Sequence, residues 1–380
     1  MKPSKFAVVG AGIGGMATVV ALHRIGISAS LFEQAPKFRR IGAAINLTPN
    51  SVKVLDRLGL GPQIRERAFS PAFRVSRTWN TGAETSRIKL GSTAEHKYGA
   101  PQLMVHRADL LSALENALPP QAVYLDSRVA SICQNSDEVV LTLQDGRTYS
   151  FDAVIGADGI HSTTRAAFFD EELPTYTGMA AYRAIFPSNR LRGYEVDSFV
   201  KWWGPNTQSQ LVTAAINRGS EMFVFATLPE PEVSRESWSA QCKIEDLRAA
   251  FADYHPEARA VLAACEQPLK TALYIRAPMR KWTAGRVALL GDACHPMVPF
   301  MAQGAAMVLE DVAVLARCIE ANSEISSALR MYAATRRERA SRIQIASSEN
   351  DWLRTGSNAD WVYGYDAWNV PLERDEQMSA

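Results

Sequence analysis

An α/β fold, in which a helix-flanked parallel sheet is intergrown with a mostly antiparallel one, is predicted by three short segments and by the change of pattern between them. The segments are Gly10-Ala11-Gly12-Ile13-Gly14-Gly15, Ala157-Asp158-Gly159 and Gly291-Asp292-Ala293. Each closes a short apolar run that reads as a buried parallel strand: Lys5 to Val9, Ala153 to Ala157, and Val287 to Leu290. Ligands of such sheets sit at the carboxyl ends of the strands, where all three segments fall.

The first segment leads into Met16 to Gly26, which has the length and apolar spacing of a helix. Strand, glycines and helix in this order form a dinucleotide-binding fingerprint, so the parallel part is Rossmann-like. Gly10 permits the tight turn, Gly12 lets the backbone approach a pyrophosphate, and Gly15 lets helix and strand pack closely. A second strand, Ile27 to Phe32, ends in Glu33, about 20 residues beyond the first glycine, where a ribose-binding carboxylate belongs. Lys2 and Lys5 followed by an apolar stretch to Leu22 also imitate a secretory leader, but strand, turn and helix account for the same residues.

Further along, Thr48-Pro49-Asn50-Ser51 ends a loop beginning at Ala44 and starts a helix through Val52, Val54, Leu55 and Leu58. Hairpins are predicted across Asn80-Thr81-Gly82, between Phe73 and Leu90, and across Asp145-Gly146, and a helix over Arg107 to Ala117. From Thr175 to Arg276 the pattern changes to strands at Ala180–Phe186, Ser198–Trp203, Gln210–Ile216 and Met222–Leu228, with helices near Glu245–Phe251 and Glu257–Ala264. This mostly antiparallel sheet would floor a substrate chamber. A helix starting at Gly304 and running through Ala305 to Ile319 would turn its positive end toward developing negative charge.

Composition narrows the function. The 380 residues are 47% hydrophobic and 21% charged with a net charge of +1, which disfavours nucleic acid as a partner. No stretch reaches the ~18 uninterrupted apolar residues of a membrane span. Cys133, Cys242, Cys265, Cys294 and Cys318 have neither disulfide nor zinc spacing, so no metal is expected and the cytoplasm is the simplest compartment.

With Glu33, His106-Arg107-x-Asp109-Leu110, Ser162 and Arg165 after the Asp158 motif, and Gly291-Asp292-Ala293-x-His295-Pro296 with Gln303-Gly304, the chain resembles the single-component FAD-dependent aromatic hydroxylases, the class A flavoprotein monooxygenases. Val200-Lys201-Trp202-Trp203, Gly291 to Asp311, and the tail Trp361-Val362-Tyr363-Gly364-Tyr365-Asp366 are similar to the 6-hydroxynicotinate 3-monooxygenases and salicylate hydroxylases. The resemblance implies a discontinuous FAD-binding domain (1–72, 98–174, 277–355), a substrate domain (73–97, 175–276) and a C-terminal tail (356–380). It implies FAD contacts at Gly10, Gly12, Gly14, Gly15, Glu33, Gln34, Arg107, Val129, Asp158, Asp292, Gly304 and Ala305.

The implied activity is hydroxylation of a hydroxylated aromatic or N-heteroaromatic acid, with or without decarboxylation. NADH or NADPH would reduce the FAD, and molecular oxygen would then give a flavin hydroperoxide. A flavin oxidase or dehydrogenase, or a non-catalytic FAD-binding protein, are the alternatives; a monomer or homodimer is expected. Asn46, Gln208, Val212 and Phe300 stand where the hydroxynicotinate enzymes carry histidines or other polar or aromatic residues, so a less polar pocket is expected. An asparagine can orient a ring hydroxyl but is no base near neutral pH. Arg183 is a candidate anion contact or a salt-bridge partner. His295 reads as scaffold, Cys294 as a buried thiol, and Arg336, Arg337, Arg339 and Arg342 as a solvated or domain-packing face. At most one of Trp202 and Trp203 should line the chamber, because strand neighbours face opposite ways.

Overall fold

The computed structural model describes residues 5–38, 44–170, 172–191, 193–232, 240–356 and 358–373. Two large sheets organise them. In the first, Val287–Leu289, Ala153–Gly156, Lys5–Val9, Ser28–Phe32 and Val123–Tyr124 lie side by side and parallel, with Thr283–Ala284 antiparallel at one edge. The three strands that end in the motif segments are therefore adjacent, and their carboxyl ends share one rim. Of the run that imitates a leader, Lys2 lies outside the described residues; Lys5 onward forms the central strand and a helix, Ile13–Arg24.

The second sheet has eight strands in the order 240–241, 269–275, 175–187, 221–229, 210–216, 198–203, 73–78, 84–89. All its pairs are antiparallel except Ser198–Trp203 against Phe73–Thr78, which are parallel. One face packs Trp202, Leu211 and Val224 against Leu247, Phe251 and Val261 of the helices Ile244–Ala250 and Pro256–Ala264. Alternation sends Phe199, Lys201, Val212, Phe223 and Phe225 to the other face, toward the first domain. The predicted loop at Ala44 is instead a strand, Ala44–Leu47, because Leu103–His106 pairs with it antiparallel. A four-residue strand with this little alternation carries no readable period.

The helices Gly304–Ala321 and Ile325–Glu349 close the structure around a buried ionic network. Asp311 Oδ2 lies 2.6 Å from His295 Nε2 and accepts from the Gly291 amide, while Oδ1 accepts from Arg336 Nε at 2.9 Å. Glu310 pairs with Arg336 and Arg339 at 2.8 Å and accepts from Asn50 Nδ2 at 2.7 Å. Burial alone would raise both carboxyls, but the facing arginines outweigh it at Glu310, as do His295 and Arg336 at Asp311, and hold both below their ordinary values. His295 is thus scaffold. The arginine face divides: Arg336 is fully buried and Arg339 half-buried, whereas Arg337 and Arg342 are exposed.

Removing one partner of a buried ion pair strands its neighbours. Arg336→Met is expected to lower unfolding free energy by about 3–5 kcal/mol near neutral pH. Because the two carboxyls are held low, their contribution is present above their ordinary values of 4.5 and 3.8 and is lost as pH falls through the depressed ones. Urea unfolding of the FAD-loaded protein should therefore show the same deficit for the variant at about pH 5 as at about pH 7.5, and a smaller one only as pH falls below about 4.

Candidate active site

Between the two sheets lies a cavity of about 910 Å³, lined at one end by the strand-end motifs and at the other by the inward face of the second sheet. Its glycines differ in purpose. A Cβ on Gly10, at φ +96°, would meet Ala157 O at 2.6 Å, because the Ala153–Gly156 strand runs alongside. One on Gly15 would lie 1.8 Å from Gly10 O, and one on Gly14 would strike Val308 of the long helix. Around a Cβ on Gly12 nothing lies within 4 Å: that glycine keeps open the mouth of the helix amino end, which is where a diphosphate fits.

Charged groups ring this end. The Glu33 carboxylate accepts from the Ala11 and Ala35 amides, each at 2.8 Å, which fixes it at the cavity edge. Asp292 projects into the cavity, exposed to it though enclosed by protein; burial pushes its carboxyl up, opposed by His295 and Arg107. Arg107, which begins the Arg107–Ala117 helix, is pushed down by burial and held up by Asp292. Asp158 lines the cavity, while its carboxylate accepts from Ser162 Oγ at 2.5 Å and from the Thr164 amide and hydroxyl at 3.0 Å, capping the Thr163–Phe168 helix.

At the wall between the two ends stands the Gly304–Ala321 helix, whose first amides have no intrahelical acceptor. Gln303, just before it, is clamped by the Thr48 hydroxyl at 2.9 Å and Asn50 Nδ2 at 3.0 Å, and Gly304 and Ala305 then face the cavity. Ala302 holds φ +55° to make this turn.

The chamber end contains Asn46, Arg183, Val212 and Phe300, all four on the cavity wall. The Asn46 Oδ1 and Gln210 Oε1 atoms are buried with no hydrogen-bond partner among the described residues, so each is available to a ligand. Arg183 reaches Thr271 across the sheet, and burial, reinforced by Arg107, pushes it down to about 10. Gln208 does not line the cavity. It sits in the turn before the Gln210–Ile216 strand, and Gln210 takes the inward place instead.

Gly15 is likewise absent from the lining, serving the packing of helix on strand. Neither tryptophan lines the chamber: Trp202 is in the far core, and the Trp203 ring lies 3.7 Å from Lys201 Nζ. Several wall residues were not assigned to the chamber from the sequence. Lys201, Arg74 and Tyr363 face the cavity, the first two with 1% and 4% exposure. Strand alternation with Phe199 could have found Lys201; Arg74 and Tyr363 needed the tertiary fold.

Residues 4–347 match the family described as the FAD binding domain, and the chain belongs to it. It is 40% identical over 380 residues to the 6-hydroxynicotinate 3-monooxygenase of Bordetella bronchiseptica, covering 99% of each chain. Among solved structures it resembles Klebsiella pneumoniae HpxO complexed with FAD and uric acid, with 26% identity, a TM-score of 0.80, and coverage of 94% of this chain and 90% of that one. It shares the fold of a salicylate hydroxylase substrate complex at a TM-score of 0.83 and 24% identity, covering 96% of each. The protein is an FAD-dependent aromatic monooxygenase that consumes reduced nicotinamide and molecular oxygen.

The contrast between two glycines gives a test. Gly12→Ala, into open space at an ordinary φ of −73°, should change stability by less than about 0.5 kcal/mol yet sharply lower FAD affinity. Gly15→Ala should destabilise the apoprotein by about 3 kcal/mol through backbone collision. Urea unfolding of the apoproteins and FAD titration of each separate the two effects.

Proposed function

We propose that the cavity holds FAD along the Gly10–Gly15 turn with the flavin at the Gly304 helix, and a hydroxylated aromatic or N-heteroaromatic ring in the chamber beyond. The observation that carries this is the alignment of the diphosphate mouth at Gly12, the Glu33 carboxylate and the Gly304 amides along one continuous wall. Glu33 and Gln34 would hold the adenosine ribose, Arg107 the diphosphate, and Asp292 the ribityl part, with Val129 against the adenosine end. Asp158 supports this wall through its helix cap.

When bound, the flavin supplies the redox and oxygen chemistry of the reaction. The protein supplies position and electrostatics. The amides at Gly304 and Ala305 would hold the flavin's pyrimidine edge, and the helix end would stabilise negative charge there. Asn46 and Gln210 orient the substrate by accepting from its ring hydroxyl or ring N–H through their unpartnered amide oxygens. Phe199, Val212, Phe223, Phe225 and Phe300 exclude water from the reacting ring. The relative from Bordetella acts on 6-hydroxynicotinate by its name, and a hydroxylated ring acid of that kind is the substrate class this reading assigns to the chamber.

The discontinuous division of the chain follows the same reading. Residues 1–72, 98–174 and 277–355 carry the cofactor wall, residues 73–97 and 175–276 carry the floor of the chamber, and the tail completes it. Five free thiols accord with a reducing cytoplasm. No helix among the described residues is long and apolar enough to cross a membrane.

NADH and NADPH oxidation by the FAD-loaded protein should rise with at least one member of a panel of hydroxynicotinates, hydroxybenzoates and hydroxypyridines, with hydroxylated product matching nicotinamide consumed. Product formed without nicotinamide oxidation would overturn the reading. Asn46→Ala should keep its FAD and lose about tenfold or more in kcat/KM, the cost of one missing hydrogen bond to the ring; loss of FAD with unchanged turnover of the reloaded enzyme would remove Asn46 from the chamber.

A further inference from the structure

Arg74 and Lys201 form the least expected part of the chamber. They stand on neighbouring parallel strands, where Phe199 is the register partner of Arg74 and Lys201 lies two residues beyond it on the same face. Both line the cavity and both are almost fully buried. Among the described residues neither forms an ion pair, and the acids on the cavity wall, Glu33, Asp158 and Asp292, all come from the strand-end motifs.

Both cations are held in place by uncharged groups. Lys201 Nζ donates to Asn350 Oδ1 at 2.7 Å and to Phe300 O at 3.4 Å, above the Trp203 ring. Asn350 is fixed in turn by donating to Thr207 O at 2.6 Å, in a left-handed backbone conformation at φ +49°. The Arg74 guanidinium lies 5.6 Å from the Phe199 ring centre and 5.3 Å from that of Trp352. The Tyr363 hydroxyl faces it as a hydrogen-bond partner and donates to Gln102 Oε1 at 3.1 Å.

A buried cation without an anion costs several kcal/mol, and two together also repel. The arrangement bears that mark: burial first, then Arg74 and Arg354, outweigh the opposing pull of Asp351 and push Lys201 well below the ordinary lysine range. Such a pair is preorganised for a negative charge brought from outside.

Resting on the hydroxylase reading above, we propose that Arg74 and Lys201 are the specificity-determining pair of this enzyme. They receive a carboxylate on the substrate ring, and Tyr363 of the C-terminal tail positions Arg74 for it. The enzyme then selects aromatic acids over neutral rings of the same shape. Arg183, also at the chamber end, is already engaged by the Thr271 hydroxyl.

The test compares each acid with its own carboxamide on the FAD-loaded enzyme: 6-hydroxynicotinate with 6-hydroxynicotinamide, salicylate with salicylamide, and 4-hydroxybenzoate with 4-hydroxybenzamide. Binding is read from perturbation of the flavin spectrum and coupling from NADH oxidation. For the ring that fits, the wild type should bind the acid about tenfold to hundredfold more tightly than the amide, the range for hydrogen bonds to a charged group. Lys201→Met and Arg74→Met should each collapse that ratio toward one while amide affinity changes little. Tyr363→Phe should lower the ratio partway and leave FAD affinity unchanged. Equal affinity for acid and amide in the wild type, or a ratio that survives Lys201→Met, overturns the proposal. If amides alone stimulate NADH oxidation with hydroxylated product, the pair has no carboxylate role but the hydroxylase reading stands. If neither form of any ring binds or stimulates oxidation, both fall together.

Discussion

The carboxylate of Asp311 is the point on which the cofactor wall depends. One of its oxygens takes the Gly291 amide and His295, and the other takes Arg336, so the strand-end turn, the helix that faces the cavity and the helix behind it are bound to one atom group. Glu310 extends the same clamp to Asn50, and through Gln303 and Thr48 it reaches the residues immediately before Gly304. Asp292 and the Gly304 amides must be in register with each other if one ligand is to touch both. Apolar packing alone tolerates a slip of a helix along its groove; a set of buried ion pairs does not, because each misplaced charge would be left unpaired.

The cavity is electrically divided. Its strand-end side carries Glu33, Asp158 and Asp292 together with Arg107 and Arg128, groups of both signs that suit the mixed polarity of a nucleotide. Its sheet side carries Arg74, Arg183 and Lys201 with no acid, set among phenylalanines. Low polarity there strengthens every charge that remains. Two ligands of different character thus have separate ends of one space, and the amino end of the Gly304 helix marks the boundary.

Much of this was legible in the sequence, for identifiable reasons. Gly10, Gly12 and Gly15 each answer a local backbone demand, so their meaning could be read without knowing what lay opposite. The strands Ser198–Trp203 and Gln210–Ile216 and the helix Arg107–Ala117 begin and end where their residues suggest, since turn signals and apolar runs are local too. Gln208 shows the limit: a turn one residue longer or shorter decides whether a side chain faces ligand or water. Arg74 was invisible for a different reason. Its place opposite Phe199 comes from a parallel pairing between strands more than a hundred residues apart, and no local pattern encodes that partner. Arg336 read only as part of a solvated or domain-packing face because a lone sequence cannot show the two carboxylates that neutralise it.

The C-terminal segment adds a constraint in time. Arg317 holds the carbonyls of Ala367 and Val370, the Glu373 amide donates to Thr335, and Tyr363 reaches the cavity wall beside Arg74. During synthesis the glycine turn and its first helix emerge well before the segment around Tyr363 that completes the chamber wall. A nascent chain can therefore present a nucleotide-binding turn well before it has an enclosed chamber, and an enzyme that reduces oxygen is sealed only once this later segment has emerged and docked.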